Sequence, residues 1–170
     1  MAMVVLATVV GAGSAFAQEP GMPAGHMHPH AQDSAFAAMQ ARGKVVMGVD
    51  QYASTHRFDS LRDGGRIELR AKGNDPAAIG AIRAHLRGIA RAFAAGDFTA
   101  PMAVHEQTVP GTAVMAARRL ALRYAYRDLP RGGEVRIVTR DPQALAAVHE
   151  FLAFQRSGHR AGGRAMPRQR

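Results

Sequence analysis

The feature that most constrains this chain is a segment that occurs twice. Phe58–Leu69 alternates apolar and polar residues, passes through Gly64-Gly65 and alternates again; Tyr126–Ile137 does the same around Gly132-Gly133. Alternation with a period of two marks a half-buried strand. Two such runs about a Gly-containing turn read as a β-hairpin with a loop of about three to five residues. Each hairpin leads to the same helix start, Asp75-Pro76 in the first copy and Asp141-Pro142 in the second. Asp is a strong N-cap, and proline fits the first helical position, where its missing N–H costs nothing.

The segments that follow carry helical stripes. Ile79, Ile82, Leu86, Ile89 and Phe93 step by three and four until Gly96, and Leu145, Val148, Leu152 and Gln155 do so until Gly158. Upstream, Val46-Met47 matches Val114-Met115 and His56 matches Tyr124. A strand-strand-helix unit cannot bury its sheet face alone, so the two copies are expected to share one core. The predicted fold is α+β. Two tandem repeats (about 44–96 and 112–157) form one antiparallel sheet of four or more strands with both helices on one face, and a short helix, Asp33–Arg42, precedes it.

The flanks have a different character. Val4–Phe16 is apolar or small throughout, and Ala15-Phe16-Ala17 is a small-x-small cleavage site. This is the pattern of a secretory signal peptide over residues 1–17, cut after Ala17, which implies a periplasmic or secreted protein. Met1-Ala2-Met3 lacks the usual basic residue and points to a translation start a few codons upstream. Residues 18–32 read as a flexible His/Met-rich linker, 33–157 as a single domain and 158–170 as a disordered Arg-rich tail.

Composition narrows the chemistry. The chain has no cysteine, so disulfides, thiolate metal sites and covalent c-type haem attachment are excluded. Its net charge is +9, with 22 Lys and Arg against 13 Asp and Glu. Export argues against nucleic acid as the partner of that charge. The tail, with Arg156, Arg160, Arg164, Arg168 and Arg170, is a candidate contact for an anionic membrane surface or an envelope protein.

Without cysteine, a transition metal must be held by imidazole, thioether or oxygen. His26, His28 and His30, with Met22 and Met27 nearby, form one such donor group on the linker. Imidazole suits copper and zinc, and thioether favours Cu(I), so copper is the first candidate. Within the domain, the repeat makes Met47 and Met115 pseudo-symmetric mates, with His56, His105, Met39 and Met102 close in sequence. A Met/His site at the repeat interface follows as an expectation. His85 lies at the edge of the apolar stripe, neither it nor His149 has a His partner three or four residues away, and His149 and His159, separated by the helix end at Gly158, are expected on the surface. The connection 101–117 is long for a compact domain and carries His105, Glu106, Met102 and Met115, so it is where a site is sought first.

Enzyme signatures are missing: no nucleophile elbow, Walker loop or dinucleotide fingerprint occurs. Ser54-Thr55-His56-Arg57 has a passing similarity to the Ser-Thr-Arg-Thr-Arg phosphate loop of carbamoyltransferases, but it puts His where that loop needs Arg. Met47–Phe58, Asp63–Leu69, Val104-His105, Val109–Thr112 and His149–Gln155 together resemble a family of small exported proteobacterial proteins without an established activity. The resemblance runs from about Phe36 to His159; it implies export and a single domain and transfers no mechanism. The expected function is a non-enzymatic exported protein that binds or buffers copper. The alternatives are an envelope-interaction module, and a protein that takes a small anionic ligand through Arg57, His56 and His105.

Overall fold

The computed structural model describes residues 29–163, with side chains from Asp33 onward. The proposed signal peptide, most of the 18–32 linker with His26 and His28, and the end of the tail lie outside the described residues. His30 falls within the first helix, but its side chain is also outside them.

The two hairpins are β1 (Ser54–Leu61) with β2 (Gly64–Ala71), and β3 (Leu122–Leu129) with β4 (Gly132–Thr139). They join through their second strands into one antiparallel sheet of order β1-β2-β4-β3. The sequence predicts loops of three to five residues, but Leu61 pairs with Gly64 and Leu129 with Gly132, so each turn holds two. The Gly-Gly pairs belong to the strands, where the neighbouring strand confines Gly64 and Gly132, the Leu152 side chain confines Gly65, and the Tyr126 ring confines Gly133. A Cβ on Gly132 would lie 2.0 Å from Leu69 O, and one on Gly64 2.1 Å from Ile137 O.

The first helix, α1 (Pro29–Met47), is longer than the predicted Asp33–Arg42. It continues through Gly43 and stops where Gly48 takes a left-handed conformation, φ 65°, and donates its N–H to Lys44 O. The repeat helices are α2 (Pro76–Ala94) and, last in the chain, α5 (Pro142–Gly158). Their caps are the expected ones. Asp75 accepts from the N–H groups of Ala77 and Ala78, and Asp141 from those of Gln143 and Ala144. Between them the expected loop folds into α3 (Thr99–His105), α4 (Thr112–Ala117) and a 3-10 turn, Arg119–Ala121.

Both long helices lie on one sheet face, and each covers mainly the other copy's hairpin: α2 sits over β3 and β4, α5 over β1 and β2. The buried face of α2 is Ile82, Leu86, Ala90 and Phe93. On α5 it is turned slightly from the expected stripe, to Ala144, Ala147, Val148, Phe151, Leu152 and Gln155. These meet Phe58, Ile67, Leu69, Val135 and Ile137 of the sheet. The other sheet face is polar. Asp59, 1% exposed, accepts from Arg66 Nε and Nη2, and Glu134 is covered by Arg127 at 3.0 Å. Among the described residues no helix is long and apolar enough to cross a membrane.

Candidate functional site

Where α5 ends over the edge strand β1, the helices leave a narrow cleft of about 60 Å³. Its walls are largely apolar, with Phe58, Leu69, Leu86, Phe93, Val104 and Phe151 among them. Into it come His56 from β1, His85 from α2, Gln155 from α5, His159 just past α5, and Met47 from the last residue of α1. Apolar walls with a few converging polar groups are the make-up of a binding site, but the space is far below the several hundred Å³ usual for a drug-sized ligand and suits an ion or a few small groups.

The central pair is His56 and His159. Their rings stack with centroids 5.1 Å apart and planes 13° apart, and Phe58 extends the stack at 5.7 Å from His159. His105 stands edge-on to His159 at 5.1 Å and to Phe154 at 4.8 Å. Its Nε2–H donates to Gln155 Oε1 at 3.2 Å, which fixes the proton on that nitrogen. Three polar atoms of this cluster are buried without a protein partner: His56 Nε2, His159 Nδ1 and Gln155 Nε2. Buried polar atoms nearly always have a partner, so three orphans in one cleft single it out as the candidate site, although Gln40, Gln51, Tyr124 and Glu134 carry others elsewhere among the described residues.

Burial also sets the charge. Desolvation, with a smaller contribution from His85, lowers the pKa of His56 to about 4. Desolvation lowers His85 to about 4. For His159 burial comes first, followed by the nearby His56 and His105, and the pKa falls to about 3. His105 is also lowered, chiefly by burial, although its bond to Gln155 opposes the shift. At neutral pH the cluster is therefore uncharged, the form in which imidazole binds a metal.

The structure regroups the residues named from sequence. Met47 and His56 share the cleft, and His105 backs it through Gln155 and His159. Met115 does not join them: α4 packs on α5, which places Met115 in the core at 0% exposure. Met39 is buried on α1 and Met102 is on the surface of α3. The expectation for His149 and His159 as surface residues is corrected, His159 being packed on His56 and Phe58 in the cleft, and His85 is more than the edge of a stripe. His85 is a wall of the cleft, and His149 Nε2–H donates to Leu61 O at 2.9 Å and Gly64 O at 3.1 Å, bracing the first hairpin turn. Arg57 lies on the opposite sheet face, paired with Asp59 at 3.4 Å, so it does not join His56 and His105 in an anion site. Sequence reasoning missed His159, Gln155 and His85. The available signal was a polar Gln155 on an apolar stripe, with His159 four residues on and hence on the same face.

Among the described residues, no three His, Asp or Glu side chains close around a common metal position. The cleft instead offers imidazole nitrogens and the thioether of Met47, whose Sδ accepts from Gln51 Nε2 at 3.9 Å and would have to give up that contact to hold an ion. The second repeat has no equivalent, because Tyr124 stands where His56 does in the first. Searches of protein-family models, curated proteins and solved structures find no match to this chain.

Proposed function

We propose that this is an exported protein that binds a soft transition-metal ion, Cu(I) first, in this cleft, with His56, His159 and Met47 as its donors. The observation that carries the reading is that His56 Nε2 and His159 Nδ1, in one cleft, are buried without partners among the described residues; one ring turns out of the stack to bring both lone pairs onto the ion. Neutral rings do not repel a cation, and thioether favours the cuprous state. His85 and His105 line and back the same cleft. The segment with His26, His28 and His30 is a second, weaker donor group, suited to capturing the ion before it reaches the cleft.

The test is titration of the mature chain with Cu(I) against a competing chelator, beside His56→Ala, His159→Ala and Met47→Leu variants and a chain lacking residues 18–28. Stoichiometric binding that survives the deletion and weakens in the three variants supports the cleft. Binding that disappears with residues 18–28 and ignores the three variants overturns it.

One observation favours a second reading. Gln155 Nε2 is an orphan donor at the apolar wall, which suits a small organic ligand with an acceptor group. A rise in Tm with such a compound in the absence of metal, lost in Gln155→Leu, supports that reading.

A further inference from the structure

Most arginines of the folded domain stand beside a carboxylate. On the open face of the sheet Arg57 and Arg66 meet Asp59, Arg127 meets Glu134 and Arg136 meets Asp63. On the helical side Arg83 and Arg87 share Asp128. One corner departs from this pattern. Where β3 begins beside the end of β4, Arg119, Arg123 and Arg140 are exposed, and among the described residues none of them has an ion-pair partner. They are close neighbours, because Arg123 pairs with Val138 across the ladder and Thr139 Oγ1 donates to Ala121 O at 2.8 Å. Nearby Asp141 is already paired with Arg118, and Asp97 spends its carboxylate on the Thr99 N–H at 2.9 Å. Like charges gathered in this way repel one another until a counter-charge arrives.

Among these charges stands Leu120, 93% exposed, the most exposed large apolar side chain among the described residues. It is held out by the fold. Arg118 N–H donates to Val114 O at 2.9 Å and Ala121 N–H to Arg118 O at 2.8 Å, while the next residue, Leu122, is buried. Val114 and Ala117, each three residues further back, extend the exposed apolar surface along α4. A single exposed leucine is ordinary. A leucine fixed at an apex and ringed by unneutralised arginines has the make-up of an interfacial anchor, in which the apolar group enters the acyl boundary and the cations meet lipid phosphates. A soluble polyanion would use the arginines equally well but would leave Leu120 in water.

We infer that this corner docks the protein reversibly on an anionic bilayer surface, with Leu120 entering the headgroup–acyl boundary and Arg119, Arg123 and Arg140 binding lipid phosphates. The site belongs to the folded domain, separate from the Arg-rich tail, and is independent of metal binding in the cleft. Each arginine near such a surface contributes about five-fold in affinity, and salt screens the contribution.

The experiment uses the whole mature chain with vesicles of phosphatidylcholine alone and of equal parts phosphatidylcholine and phosphatidylglycerol. The chain has no tryptophan, so Leu120→Trp supplies a single reporter, and Val45→Trp, at an exposed position on α1, is its control. The expected result is a blue shift of the Leu120→Trp emission with the anionic vesicles only, and none for Val45→Trp. In co-sedimentation, Leu120→Ser and the combined Arg119→Gln, Arg123→Gln, Arg140→Gln variant each bind about ten-fold more weakly or worse, whereas a chain lacking residues 164–170 still binds. Absence of the shift, or an equal shift in Val45→Trp, overturns the inference. Parent-like sedimentation of Leu120→Ser also overturns it and assigns the corner to soluble polyanions, with heparin as the probe. Parent-like sedimentation of the combined variant, with binding lost on removing residues 164–170, overturns it in favour of the tail. All the substituted side chains are exposed, so each variant is expected to keep the parent Tm.

Discussion

His56 and His159, far apart in the chain, stack at 5.1 Å with their planes 13° apart. Protonating either ring would place a charge in a desolvated site beside its neighbour. The folded-state values, about 4 for His56 and about 3 for His159, lie below the unfolded value of 6.5. Between pH 6.5 and about 4 the unfolded chain therefore binds more protons, and stability falls as pH is lowered through that window. Urea midpoints measured from pH 7.5 to 4.5 are expected to drop below pH 6.5. His159→Phe, which keeps a stacked ring, is expected to flatten the slope. An equal slope in parent and variant would assign the acid sensitivity to other groups.

Phe93 joins the cleft wall to the core. Its ring lies 4.4 Å from Phe98, 5.6 Å from Phe151 and 5.9 Å from Tyr124. Phe93→Ala leaves a cavity with rigid aromatic sides and is expected to cost about 3–5 kcal/mol in equilibrium unfolding. A loss under about 1 kcal/mol would mean that the cluster collapses to fill the space, contrary to this packing.

The two N-caps give a graded pair. Asp75 accepts only from its own helix, whereas Asp141 also pairs with Arg118 at 2.5 Å. Asp75→Ala is expected to cost about 1 kcal/mol, the usual value of a cap, and Asp141→Ala more. Thermal unfolding of the two variants orders them directly.

Two glycines test the backbone in opposite directions. Gly80 is exposed within α2, and a Cβ added there would have nothing within 4 Å, so Gly80→Ala is expected to stabilise by about 0.5–1 kcal/mol. Gly132→Ala would press a methyl against Leu69 O in the central seam and is expected to destabilise severely or prevent folding. Expression yield and Tm separate the two outcomes.

The repeat was legible in sequence because its signals are local: alternation within strands, Asp-Pro at the helix starts, and apolar stripes of helical period. The Gly-Gly pairs misled for a tertiary reason. They lie in strands where a neighbouring strand (at Gly64 and Gly132) or a packed side chain (Leu152 at Gly65, Tyr126 at Gly133) comes too close for a Cβ, and that cannot be read from one strand alone. The same distinction runs through the site. Met47, His56 and His105 stood out as chemistry near the repeat junctions. His85 and His159 did not, because burial by α3 and by the docked C-terminal segment, rather than any spacing, turns them into part of a site. Met115 shows the limit of arguing from repeat symmetry. It matches Met47 in sequence, yet α4 carries it into the core while α1 brings Met47 to the cleft.

The exchange of helices between the two copies has a consequence for how the molecule must be made. With α2 resting on β3 and β4 and α5 on β1 and β2, neither half can satisfy its own apolar surfaces. A chain cut between Gly96 and Thr112 would give two fragments, each unfolded when alone. Mixed together, they would reconstitute the parent as an obligate heterodimer. A single copy could survive only by pairing with itself, and such a pair would present either two His56 positions or two Tyr124 positions. One of each, and hence a single cleft, requires the two different copies together.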